Sequence, residues 1–148
     1  MRGYFKPIRD LDDLYILVTD RNLILHSHAW QLLCYAIGIY DLWVNNIITI
    51  GSPIRDDTWK IIAPKIGNIK GRWLHLWSPT DRMQVLGGLF DGHVGIRRTP
   101  PAIPGVLELR QMPGGHSTVL NKPAEMAWFR DVAIEFFTRP ASRSRSRR

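Results

Sequence analysis

Apolar positions along the chain fall into short blocks separated by polar, glycine or proline breaks, and the spacing changes from block to block. Leu11, Leu14, Tyr15, Leu17 and Val18 recur at helical spacing after Asp10, a candidate N-cap with Asp13 three residues on. A polar break at residues 19–22 leads into NLILHSHAW, residues 22–30, in which a short apolar strand at residues 22–25 meets His26, Ser27 and His28. A helix follows from Trp30 to about Gly38. NNIITIGSP, residues 45–53, contains a β-branched run expected of a strand buried on both faces. A helix is predicted over residues 56–66, its end disturbed by Pro64, and a third strand over residues 72–78, stopped by Pro79. VLELRQM, residues 106–112, reads as the fourth strand, closed by Pro113-Gly114-Gly115. A last helix over residues 122–138 starts at Pro123 and carries an apolar stripe through Met126, Phe129, Val132, Ala133, Phe136 and Phe137.

Strands alternating with helices predict an α/β fold: three layers, with a mostly parallel sheet of about four strands flanked by helices. Residues 83–104, rich in glycine and proline, form a connection too long for a plain turn, and such connections are usually functional loops or lids. Residues 1–138 are expected to form one domain, and residues 139–148 a disordered Ser/Arg-rich tail.

Composition narrows the class. The 148 residues are 45% hydrophobic and 22% charged, a globular balance. No apolar run reaches the ~18 residues of a membrane span, and MRGYFKPIRDLDDLY lacks a signal-peptide core. The lone cysteine, Cys34, precludes an internal disulfide and suits a cytoplasmic setting, where it reads as a small core residue. The net charge of +7 is misleading, because five arginines sit in the tail RPASRSRSRR and leave the body at +2. The tail reads as a solvated terminus or a weak polyanion tether.

In open parallel sheets, functional groups gather beyond the carboxyl ends of the strands. His26, Ser27 and His28 follow the first strand; Gly51, Ser52 and Arg55 the second; Asp81 and Arg82 the third; His116 and Ser117 the fourth. A strand that breaks at a serine and enters a helix lifts the hydroxyl above the sheet and aims the first helical N–H groups at the same point. The motifs LILHSHAWQLLCYA, NNIITIGSP, WLHLWSPTD and MPGGHS, in this order, resemble the C-terminal half of an α/β-hydrolase, closest to small bacterial and phage-type serine hydrolases with an H-S-H elbow. The resemblance implies a serine esterase or lipase-like hydrolase. Ser27 would be the nucleophile, His116 the general base and Asp81 the acid that orients it, with the His28 N–H as an oxyanion donor and His26 in the cleft. It implies no cofactor and no metal, and a small-molecule or lipid ester as substrate. Two departures accompany it. Leu25 stands where the family carries a small residue, and about 21 residues precede the elbow strand where the family has about four further strands. A partner chain or second copy completing the sheet edge is therefore expected alongside, or a non-catalytic binding or assembly module on a truncated hydrolase scaffold.

Each residue has a plainer alternative. Ser27 could cap the following helix. His26 and His28, two apart on an extended chain, would face one way as metal ligands can, although no third ligand accompanies them. Asp91 and His93, in the long connection, are the fallback acid and base. His75 and the tryptophans Trp30, Trp73, Trp77 and Trp128 read as core, Asp56 and Asp57 as helix-starting acids, and Arg55 as surface or as a contact for an anionic substrate. If the tail binds polyanions, deleting residues 140–148 is expected to abolish retention on a heparin column at low salt; unchanged retention of the shortened chain would place the binding elsewhere.

Overall fold

A computed structural model describes residues 22–83, 96–97 and 100–139. The helix expected at residues 11–18, Asp91, His93, most of the long connection and the Ser/Arg tail beyond Arg139 lie outside the described residues. The described elements are β1 (Leu23–His26), α1 (Ala29–Tyr40), β2 (Ile47–Ile50), β3 (Ile54–Arg55), α2 (Asp56–Ile62), β4 (Trp73–Trp77), β5 (Ile96–Arg97), β6 (Leu107–Gln111), α3 (Thr118–Asn121) and α4 (Pro123–Thr138). Among them, no helix is long and apolar enough to cross a membrane.

The architecture is the α/β fold expected, with a parallel sheet in the order β1-β2-β4-β6. Its registers bring the strand ends level: His26 pairs with Ile50, Ile50 with Leu76 and Leu76 with Arg110. Because side chains alternate along a strand, each face collects its own core. Leu23, Leu25, Ile47, Trp73 and Leu107 pack with Trp30, Leu33, Cys34 and Ile37 of α1 and with Ile62 of α2. Ile48, Ile50, Leu74 and Leu76 pack on the other face against Val119, Val132, Ala133 and Phe136. Every residue of β2 is buried, which is why its sequence is a continuous run and does not alternate. Each large side chain so covered contributes about 1.5–3 kcal/mol. Trp30 stacks on Trp73 at 4.3 Å between ring centroids. Cys34 lies in this core, and burial pushes its thiol pKa up, away from reactivity.

Two polar side chains inside the sheet satisfy each other. Trp73 Nε1 donates to Thr49 Oγ1 at 2.8 Å, and the Thr49 hydroxyl shares a hydrogen bond of 2.7 Å with His75 Nδ1. His75 is therefore a satisfied core histidine, as its alternating position suggested. At the opposite end of the sheet, Arg72 donates to the carbonyls of Phe136 and Arg139, closing the C-terminal end of α4 with a cation.

Two of the differences from the expected element boundaries have a plain physical reason. The second helix stops at Ile62 and tightens into a 3₁₀ turn, Ala63–Asn68, because Pro64 near its start has no N–H to give the α-helical ladder. The long connection returns at Ile96–Arg97 to pair antiparallel with Ile54–Arg55, a two-residue ladder too short to leave a periodic signal.

The two sheet edges are unlike. On β6, Arg110 pairs with Glu108 and with Glu135 of α4, and Arg139 reaches Glu108, so charge covers that edge. Among the described residues the β1 edge is apolar, and Ile24 is 50% exposed. Between β1 and α4 runs a groove of about 600 Å³, lined by Ile24, Leu120, Met126, Phe129, Ile134 and Phe137 among others.

Gly38 permits the contact between α1 and α2, since a Cβ there would overlap Ile61 Cγ2. The methyl belongs to a β-branched side chain on a helix and has little freedom to yield. Gly38→Ala is expected to destabilise the fold by about 1–2 kcal/mol despite its better helix propensity, read as a lower urea midpoint; an unchanged or higher midpoint would contradict the packing.

Candidate active site

The site is built from three loops on the carboxyl side of the sheet. The first follows β1. The Ser27 N–H donates to Ile50 O at 3.0 Å, so the chain stays paired with β2 for one residue beyond the strand. Ser27 then takes φ +54°, a left-handed conformation that costs an L-residue about 1–2 kcal/mol. The turn reverses the chain into α1, with His28 at the N-cap. Leu25 is accommodated because it points down into the α1-side core, away from the crowded turn. The left-handed residue also separates the two histidines. His26 is half-buried and His28 exposed, so the extended-chain expectation that they face one way does not hold. Among the described residues, no group of three His, Cys, Asp or Glu side chains is placed to hold a metal ion.

The second loop follows β4. Ser78, Pro79 and Thr80 turn the chain so that Asp81 is buried at 0% exposure. The third follows β6, where residues 112–117 run through Gly114 at φ +72° to His116 and into α3. These loops are tied together. Ser78 Oγ and Thr80 Oγ1 both donate to the Gly114 carbonyl, the latter at 2.9 Å, and Thr118 Oγ1 donates to the Gly115 carbonyl at 2.9 Å.

The three loops bring Ser27, Asp81 and His116 into one chain of hydrogen bonds. His116 Nδ1 lies 2.8 Å from Asp81 Oδ2, and His116 Nε2 lies 2.9 Å from Ser27 Oγ. A carboxylate can only accept, so Nδ1 carries the proton and Nε2 presents its lone pair to the Ser27 hydroxyl. The buried carboxylate is stabilised by that donor, which offsets part of the cost of removing it from water. The Ser27 hydroxyl does not cap α1: His28 holds the N-cap position and makes no side-chain cap bond. Among the described residues the His28 N–H has no acceptor, and it follows the serine at the start of a twelve-residue helix. An anion forming at the serine would meet that group.

Several neighbours have contacts that sequence reasoning did not assign to them. Gly51, at φ +52°, sits beneath the pair, and a Cβ there would stand 3.1 Å from each of Asp81 Oδ2, His116 Nδ1 and His116 O. Its signal in the sequence is the Gly-Ser-Pro break after a buried strand. Ser78 and Thr80 read only as turn residues. His26 Nε2 lies 3.2 Å from the His116 carbonyl oxygen and 3.3 Å from Ser117 Oγ. Arg55 is engaged by Asp57 at 2.8 Å, and its guanidinium holds the Asp57 carboxyl below the ordinary range.

The fold and these side chains define a small parallel α/β protein with a Ser–His–Asp hydrogen-bond relay above its strand ends. No protein-family model, no curated protein and no solved structure matches the chain. What the protein does is therefore read from the side chains alone.

Gly51→Ala is expected to lower stability by about 1–2 kcal/mol through the left-handed backbone and to displace the His116 imidazole resonances. Resonances unmoved by the added methyl would contradict the close approach.

Proposed function

We propose that the protein is a serine hydrolase of the α/β-hydrolase type, acting on carboxylic esters. One observation carries the reading: a serine in a left-handed strand-to-helix turn, 2.9 Å from a histidine nitrogen whose partner nitrogen is 2.8 Å from a buried aspartate. Ser27 Oγ attacks the ester carbonyl carbon while His116 Nε2 takes its proton. Asp81 stabilises the imidazolium through the Nδ1–H bond, and the His28 N–H stabilises the oxyanion. The imidazolium returns its proton to the departing alkoxide, leaving an acyl group on Ser27. Water then attacks the acyl carbon, His116 again takes a proton, and the carboxylic acid leaves as Ser27 is restored. An ester suits the site better than an amide, because an alkoxide leaves with less help and a single oxyanion donor is identified. The lone buried cysteine fits a reducing, cytoplasmic setting.

A second reading is a binding or assembly module on a hydrolase-like scaffold. The apolar β1 edge with half-exposed Ile24 favours it, since such an edge invites another strand or chain. Light scattering after size exclusion separates the two: an active monomer argues for the enzyme, an inactive oligomer for the module.

Acylation by a fluorophosphonate tests the enzyme directly. The parent chain is expected to label and Ser27→Ala not to label. His116→Ala and Asp81→Asn are each expected to slow labelling by about 10³-fold or more. Equal labelling of Ser27→Ala and parent, or no labelling of the parent, overturns the proposal.

A further inference from the structure

His26 ends β1 and faces the α4 side of the sheet, the side opposite Leu25. Its backbone is set by pairing with β2, through the His26–Ile50 register and the Ser27 N–H bond to Ile50 O. Its side chain crosses to the third loop. Nε2 lies 3.2 Å from the His116 carbonyl oxygen and 3.3 Å from Ser117 Oγ, and the His26 and His116 rings stand 4.8 Å apart at 54°. A carbonyl can only accept, so Nε2 carries the proton, and the Ser117 oxygen takes a weaker second arm of the same N–H.

We infer that His26 is a positioning residue for the proposed hydrolysis, clamping the His116 main chain to the strand that carries Ser27 through Nε2–H···O=C. The inference rests on the serine-hydrolase reading. Asp81 fixes the tautomer and angle of the His116 ring from one side. Its loop holds the neighbouring Gly114 carbonyl through Ser78 and Thr80. Both restraints tie the base to the acid. Neither ties it to the nucleophile, whose contact with His116 is the hydroxyl that must give up its proton. The His26 bond supplies that missing brace from the residue next to Ser27, so the Oγ–Nε2 distance is set by two anchored main chains. It survives the reaction cycle, because His26 exchanges no proton with substrate and its N–H acceptor stays in place.

The test uses isosteres on the full chain. A glutamine amide nitrogen reaches about where Nε2 sits, whereas an asparagine amide reaches only the Nδ1 position. His26→Ala and His26→Asn are expected to slow fluorophosphonate acylation and kcat for a chromogenic ester about tenfold, with KM within about twofold. His26→Gln is expected to recover to within about threefold of the parent. Equal behaviour of Gln and Asn, or an Ala variant as fast as the parent, overturns the clamp. Nitrogen-coupled imidazole spectra give a readout free of activity: Nε2–H on His26 is expected, along with a shift of the His116 ring signals in His26→Ala. An Nδ1–H tautomer, or unmoved His116 signals, overturns the clamp even if the parent chain is not acylated. That last result on its own would overturn the hydrolase reading.

Discussion

The left-handed turn at Ser27 is the constraint on which the rest of the site depends. A serine at φ +54° is held there by forces on both sides. The Ser27 N–H is still bonded to β2, and the next residue already begins α1. The turn costs about 1–2 kcal/mol, which the packing of β1 and α1 around Trp30 and Trp73 readily exceeds. In return the hydroxyl is left to His116 Nε2, 2.9 Å away, and the His28 N–H that follows it has no acceptor among the described residues. Were the turn to relax into an ordinary cap, the hydroxyl would bond its own helix and the relay to His116 would be lost.

The remaining loops are organised relative to that point by backbone carbonyls more than by side-chain packing. Gly114 O is held from the acid loop, Gly115 O from α3 and His116 O from β1. The first and last of these bonds link two strands' carboxyl ends, whereas the bond to Gly115 O is local and firms the turn into α3. Gly51 belongs to the same scheme by absence. A Cβ there would press against both partners of the Asp81–His116 bond, at 3.1 Å from each. For the proposed hydrolysis, preorganisation of this kind would leave little reorganisation to be done as charge develops.

The sheet's edges express a different constraint. A four-stranded parallel sheet has two, and this chain treats them unequally, with charge on β6 and apolar groups on β1. The strand that leads into Ser27 is thus also the one whose flank, among the described residues, is least protected by polar groups. Both proposed readings of the protein draw on that strand.

Much of this was legible in the residues. β2 announced itself by its unbroken β-branched run, and α4 by Pro123 and its stripe of aromatic and aliphatic side chains. The order Ser27, Asp81, His116, each just beyond a strand, could be read once the strands were placed, because the ends of parallel strands lie on one edge. Local patterning determines such features, since burial and backbone preference act over a few residues. Three things were decided only in three dimensions. The Ser27 φ, the approach of Gly51 to the pair, and the reach of His26 across 90 residues to a carbonyl depend on which elements neighbour one another. The β3–β5 ladder likewise has no periodicity to read. A main-chain acceptor leaves no mark in a sequence, because every residue carries one; only the folded sheet selects which carbonyl meets which side chain.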